Sequence, residues 1–170
     1  MMSMLETLIT IPNDLIPYTL CLDSDGAPIR GWYLPIEEAA EEMLQAGRVF
    51  VERPHTQYPV AEQLTAYFEG ERVTFDRPLR LAGTEFQRRV WDEMTRIPHG
   101  EVVSYGELAR RTGSRAYRAV GQACHRNPLP LIVPCHRVIA SGGRLGGFGG
   151  GEDIKRLLLR FEGVAPLPVG

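Results

Sequence analysis

At 170 residues, with 44% hydrophobic and 24% charged side chains, the chain has the composition of an ordinary soluble globular protein, in one large domain or two small ones. No apolar run approaches the roughly 18 residues of a membrane span, and Met1-Met2-Ser3-Met4-Leu5-Glu6 lacks the basic start and cleavage site of a secretory signal. The net charge of −2 argues against a nucleic-acid partner only until it is divided: residues 1–78 hold 5 Lys+Arg and 13 Asp+Glu, net −8, whereas residues 79–170 hold 14 and 8, net +6.

A basic half joined to an acidic half puts a phosphate-facing surface on the second half. Between Ser104 and Arg137 there are six Arg and one acid, Glu107. The three cysteines, Cys21, Cys124 and Cys135, form no framework spacing, which points to a reducing cytoplasm rather than export.

In chain order, a first strand falls near residues 8–11. A hairpin follows, with strands at 18–22 and 29–34 joined by the turn Asp23-Ser24-Asp25-Gly26. Residues 36–46 read as a helix with Pro35 at its start and four Glu on a solvated face. Cys21, mid-strand, reads as core. Residues 54–59 are loop and 60–68 a second helix. The domain boundary falls within 70–78, where Val73-Thr74-Phe75 could also form a strand.

From Thr84, which can cap, Phe86, Val90, Trp91, Met94 and Ile97 lie at helical spacing until Pro98-His99-Gly100 stops the run. Ser104-Tyr105-Gly106-Glu107 has the Ser-x-x-Glu form of a capping box and opens a helix to about 111. Thr112-Gly113-Ser114 is a tight turn, and residues 115–126 form the next helix. That outline fits a helix-turn-helix or a plain helical hairpin; the charge distribution favours DNA. Ala119, Gly121 and Ala123 are small, and an interior Gly costs a helix about 1 kcal/mol. Either a neighbouring helix or a DNA groove must come close to that backbone.

Pro134-Cys135-His136-Arg137-Val138 closes an apolar run. A Cys there is inert packing or, with His136 and Arg137 favouring the thiolate, a nucleophile. The pentapeptide resembles the active-site signature of the O6-alkylguanine-DNA alkyltransferases. The resemblance extends to Ser104-Tyr105-Gly106-Glu107-Leu108-Ala109, Arg118-Ala119-Val120-Gly121, Asn127-Pro128-Leu129-Pro130, the Gly146–Gly151 stretch and Leu157-Leu158-Leu159-Arg160-Phe161-Glu162-Gly163. These run in the family's order over residues 80–163. The first half is similar only at Gln63-Leu64-Thr65-Ala66-Tyr67-Phe68-Glu69-Gly70.

The resemblance implies an α/β (α+β) protein. A small structural N-terminal α/β domain with antiparallel strands, 1–78, would precede a C-terminal helix-turn-helix (winged-helix-like) domain, 79–170, that binds DNA and transfers the alkyl group. It implies direct repair of double-stranded DNA containing O6-alkylguanine, with O4-alkylthymine left open, by one irreversible transfer to Cys135. The protein would act as a monomer, without cofactor or metal. By the same resemblance His136 is the base, acting on the thiol through a water, with Glu162 fixing its tautomer. Tyr105 assists departure of the base, and Asn127 bridges the turn before the active-site strand. Arg118 fills the stack behind the flipped nucleotide, with Ala119, Gly121, Ser104 and Arg137 also facing DNA in the minor groove. Val138, Phe148 and Gly149 complete the pocket with Tyr105. Many relatives have Tyr-Ser where this chain has Phe148-Gly149, so a contact to the guanine O6 would come from the Gly149 backbone.

Three rival readings are weaker. Cys124-His125 and Cys135-His136 have no common zinc spacing. A cysteine hydrolase needs a His distant in sequence and an oxyanion hole. A non-catalytic sensor of the alkyltransferase-like type would lack the reactive Cys.

Overall fold

The computed structural model describes residues 5–76 and 79–170, which form two compact units divided between Arg80 and Leu81. No helix among the described residues is long and apolar enough to cross a membrane.

The first unit is built on a four-stranded sheet. Strands β1 (Glu6–Thr10), β2 (Thr19–Leu22) and β3 (Pro28–Trp32) are antiparallel neighbours, and β4 (Phe50–Glu52) lies parallel to β1 on its other side, giving the order β3-β2-β1-β4. Helix α1 (Ile36–Gln45) connects β3 to β4. It buries Ala39 and Met43, and Met43 meets Leu8 and Cys21 in the core, flanked by Ile29, Trp32, Ile36, Ala40 and Phe50. Helix α2 (Pro59–Phe68) starts with Pro at its first position, where a missing N–H costs nothing.

The hairpin, both helices and the core position of Cys21 match the sequence reading. Three residues of β4 do not appear in it, because a short parallel edge strand has too few positions to show a period. Residues 73–75 form no strand. One of the four Glu of α1, Glu42, accepts from Trp32 Nε1 at 2.7 Å and so is more than a solvated charge.

The second unit is helical. Helix α3 (Glu85–Thr95) has a reciprocal cap: Gln87 N–H donates to the Thr84 hydroxyl, and the Gln87 side chain accepts from Thr84 N–H. Its apolar face, Val90, Trp91 and Met94, packs on α4 (Tyr105–Arg111) and α5 (Tyr117–His125). Trp91 Nε1 donates to the Ala123 carbonyl at 2.8 Å, so Ala123 belongs to the core and not to an outer face. A Cβ on Gly83 would stand 2.5 Å from the Trp91 ring, which explains glycine there.

The α4–turn–α5 outline is the expected helix-turn-helix, with α5 starting two residues late. Strands β5 (Val103–Ser104) and β6 (Val138–Ile139) pair in parallel. This pairing sets the start of α4 beside the segment that follows Cys135. Helix α6 (Glu152–Phe161) lies against the Cys135–Arg137 turn and buries Lys155, Leu158 and Leu159.

Candidate active site

The chain reaches Cys135 through a tight loop. Asn127 organises it: its Nδ2 donates to the Val133 carbonyl at 2.8 Å, and its Oδ1 accepts from Leu129 N–H at 3.0 Å. Leu131 within the loop has φ of 79°, in the left-handed region that costs a branched residue roughly 1–3 kcal/mol. Burial of Leu129, Leu131, Ile132 and Val133 offsets that cost. Cys135–Arg137 is a single 3-10 turn, not the extended strand expected from the sequence; only Val138–Ile139 is strand.

The turn drives His136 and Arg137 inward. His136 is fully buried, and its Nε2 lies 2.7 Å from Glu162 Oε1. Arg137 is clamped on the same carboxylate, with Nε 2.9 Å from Oε2 and NH2 2.9 Å from Oε1, while NH1 donates to the Ile97 carbonyl at 2.7 Å. Gly100 N–H donates to Glu162 Oε2 at 3.2 Å. Burial works against the Glu162 charge, but His136 and Arg137 outweigh it and hold the carboxyl well below the usual range. Burial in turn pushes the His136 pKa down, partly offset by Glu162, so the imidazole is neutral near pH 7. With Nε2–H donated to Glu162, Nδ1 is the free acceptor, and it is buried without a hydrogen-bond partner among the described residues.

Two expectations change here. Arg137 is 7% exposed and three of its five N–H groups go to Glu162 and Ile97, so it is turned inward rather than presented to DNA. Neither the His136 nor the Arg137 side chain is what favours the Cys135 thiolate. Burial pushes the thiol up, and it is opposed by the Asn127 side chain, the charge of Lys155 and the backbone N–H groups of the turn.

Lys155 was not among the residues the motifs singled out. It is fully buried. Its Nζ donates to the Val138 carbonyl at 2.6 Å and the Gly147 carbonyl at 3.4 Å, and stands 5.9 Å and 5.8 Å from the ring centres of Tyr105 and Phe148. Burial brings its pKa down to about 8, against the pull of Cys135 and Cys124. Its signal in the sequence was position: Lys155, Leu158, Leu159 and Glu162 lie at i, i+3, i+4 and i+7 on the buried face of α6.

Tyr105, in the first turn of α4, donates its hydroxyl to the Gly147 carbonyl at 3.3 Å. Burial, with the nearby Cys124 and Cys135, raises its pKa to about 12, so it stays a donor. Gly146 has φ of 75°, and a Cβ there would press on the Tyr105 ring and Ala140 N at 3.2 Å, so the loop runs flush against this wall. Phe148 is half-buried beside Lys155 and Gly149 is exposed. Val138 departs from expectation. Its side chain is fully buried, and its carbonyl is held by Lys155.

Residues 85–164 match the family described as 6-O-methylguanine DNA methyltransferase, DNA binding domain. A methylated-DNA–protein-cysteine methyltransferase of Methanosarcina acetivorans is 52% identical over 104 residues, 61% of this chain and 67% of that protein. The chain belongs to this methyltransferase family. The crystal structure of the Mycobacterium tuberculosis O6-methylguanine methyltransferase superposes with a TM-score of 0.75 at 38% identity, covering 95% of this chain and 96% of that one. A second structure of the M. tuberculosis protein, in complex with DNA, has a TM-score of 0.73 at 37% identity and covers 92% of each chain. The similarity of fold thus extends through the first unit, where the sequence resemblance was faint.

In this methyltransferase-family chain the helix-turn-helix presents a distinct surface. Arg115, Arg118 and Arg126 are exposed and form no ion pair among the described residues, whereas Arg110 and Arg111 share Glu107. Glu107 therefore does not complete a capping box; Ser104 alone caps α4, accepting from Glu107 N–H at 3.1 Å. Ala119 and Gly121 are half-buried. A Cβ on Gly121 would meet nothing within 4 Å, so no neighbouring helix of this chain requires a glycine there.

Proposed function

We propose that the chain repairs DNA by moving the alkyl group of O6-alkylguanine onto Cys135, once per molecule. Family membership supports the reaction class. The observation that carries the site assignment is that the Asn127 side chain and the Lys155 charge favour the thiolate of Cys135, in the turn that also carries the buried His136–Glu162–Arg137 cluster. Residues 81–170 would bind DNA and react, while residues 1–80 would serve as a structural unit. The three free thiols support a cytoplasmic setting.

In this reading the Cys135 thiolate attacks the alkyl carbon in line, a carbon–sulfur bond forms, and the carbon–O6 bond breaks with its electrons leaving on guanine. His136 takes the thiol proton. Its Nδ1 is an unpartnered acceptor, and a water between Nδ1 and the thiol would carry the proton. Glu162 holds the tautomer that leaves Nδ1 free, and Arg137 holds Glu162. Lys155 stabilises the thiolate by charge and ties down the wall at Gly147. Tyr105, protonated at working pH, donates to the departing guanine. The thioether product has no leaving group for water or thiol, so the protein is its own acceptor.

DNA would lie on the α5 face. The open space over Gly121 supports groove approach, and exposed Arg118 would replace the extruded nucleotide. A non-catalytic sensor is disfavoured by Cys135 itself. Titration with excess O6-methylguanine duplex should plateau at one methyl per protein, and Cys135→Ala should bind DNA without transfer. Continued turnover would overturn the single-use reading.

A further inference from the structure

Tyr117, the first residue of α5, is 57% exposed, and among the described residues of the second unit only Val169 is another large apolar side chain this open. An exposed aromatic ring on a basic helix invites an explanation, since nothing in the fold needs it there. Its Cε1 lies 3.9 Å from where a Cβ on Gly106 would stand, and Ser104 Oγ lies 3.7 Å from the same point. The ring therefore rests near the first turn of α4, the turn that carries Tyr105.

The helix places it with respect to the reaction. Tyr117, Gly121 and Cys124 follow one another at i, i+4 and i+7, on one line of α5 that passes from exposed through half-buried to buried. Its inner end, Cys124, is close enough to Tyr105 to raise that hydroxyl's pKa. Arg118 projects about 100° round the helix from Tyr117. Tyr117 thus neighbours the arginine assigned to the base stack and lies on the α5 line that ends at Cys124, beside Tyr105.

We propose that Tyr117 is a nucleotide-positioning residue at the pocket mouth, its ring packing against the deoxyribose of the extruded nucleotide and keeping the lesion in reach of Cys135. This rests on the alkyl-transfer reading above. An aromatic face suits the task because it adds contact area with little rotamer freedom to lose and reads no sequence. It differs from Arg118 in a testable way. A stack filler matters only where a stack has to be opened, whereas a sugar contact matters wherever the base arrives attached to a strand.

The test measures transfer by wild type, Tyr117→Ala and Tyr117→Phe from three substrates: O6-methylguanine in duplex DNA, the same lesion in a single-stranded oligonucleotide, and free O6-benzylguanine base. Tyr117→Ala should be slower on both DNA substrates by about tenfold, within the range of aromatic–nucleotide contacts, and unchanged on the free base. Tyr117→Phe should stay close to wild type. Because Tyr117 is exposed, the melting temperature should not move. A loss confined to duplex would overturn the proposal in favour of a role in the stack. Equal loss on all three substrates, or equal loss in Tyr117→Phe and Tyr117→Ala, would overturn it as well. Failure of the wild-type protein to react with any of the three would instead defeat the functional reading on which the proposal rests.

Discussion

Lys155 on α6 and Glu162 at its C-terminal cap carry charge into the interior, as does Arg137, and the first two each lead to a prediction. The folded pKa of Lys155, about 8, lies below its ordinary value of 10.5. Between those two values the unfolded chain binds more protons than the folded one, so stability rises with pH across that window. The stability of wild type relative to Lys155→Met should therefore improve from pH 8 to 10.5, as read by urea unfolding. Reactivity should move the other way. Without the ammonium, the Cys135 thiolate loses its one nearby cation. Lys155→Met should shift the pH profile of Cys135 alkylation by iodoacetamide upward and slow the reaction at neutral pH. An unshifted profile would mean that Lys155 only anchors the Gly147 wall.

Glu162 carries the opposite sign. Its folded pKa is depressed from 4.5, so its contribution is fully present above that value and is lost as pH falls through the folded one. Glu162→Gln leaves Arg137 buried without a counter-charge, and breaking a buried pair in this way costs about 3–5 kcal/mol. The variant should lose that stability at pH 7 and should have a shallower acid-unfolding limb than wild type. An equal acid limb would assign acid sensitivity elsewhere.

At the scale of elements, α5 joins two conflicting demands at Gly121. Space around it is open and the helix is regular, so Gly121→Ala should stabilise the protein by about 0.5–1 kcal/mol. If a groove closes on this backbone, the same methyl should weaken duplex binding. A variant that is more stable and binds duplex as tightly as wild type would remove α5 from the interface. Arg118→Ala should chiefly slow transfer from duplex, with free O6-alkylguanine reacting almost as before, because a free base needs no extrusion.

The elements also show what a sequence can reveal. Helix α3 was legible because its apolar residues repeat with the helical period, α4 and α5 from the Ser104 cap and the Thr112-Gly113-Ser114 turn, and the hairpin because turn residues separate two β-rich runs. The three-residue β4 was too short to carry a pattern. The turn at Cys135–Arg137 was hidden because its neighbours Val133 and Val138 read as strand, and this error cost the orientation of Arg137. In the 3-10 turn Arg137 points to Glu162. Cys135, His136, Glu162, Tyr105 and Asn127 were named from motifs and do gather around one turn. Lys155 was missed since a lysine on an amphipathic helix is ordinarily assigned to water, and only packing from three sides reveals otherwise.

Across the whole molecule, the charge asymmetry in the sequence becomes a surface of three unpaired exposed arginines, Arg115, Arg118 and Arg126, instead of six. Duplex affinity should fall with salt at a slope near −0.9 for each phosphate neutralised. On Arg115 and Arg126 alone, with Arg118 given to the stack, that is about −2, with little preference among undamaged sequences. The central claim is narrower than binding: one thiol of three accepts the alkyl group. Cys21 and Cys124 are both buried, whereas Cys135 is partly exposed, so neither should compete. The most direct test is peptide mass spectrometry after reaction with one equivalent of O6-methylguanine duplex. A gain of one methylene on the peptide containing Cys135, with Cys21 and Cys124 unmodified, is the predicted result. A methyl on either of the other cysteines, or none on the protein while the lesion disappears, would contradict the account.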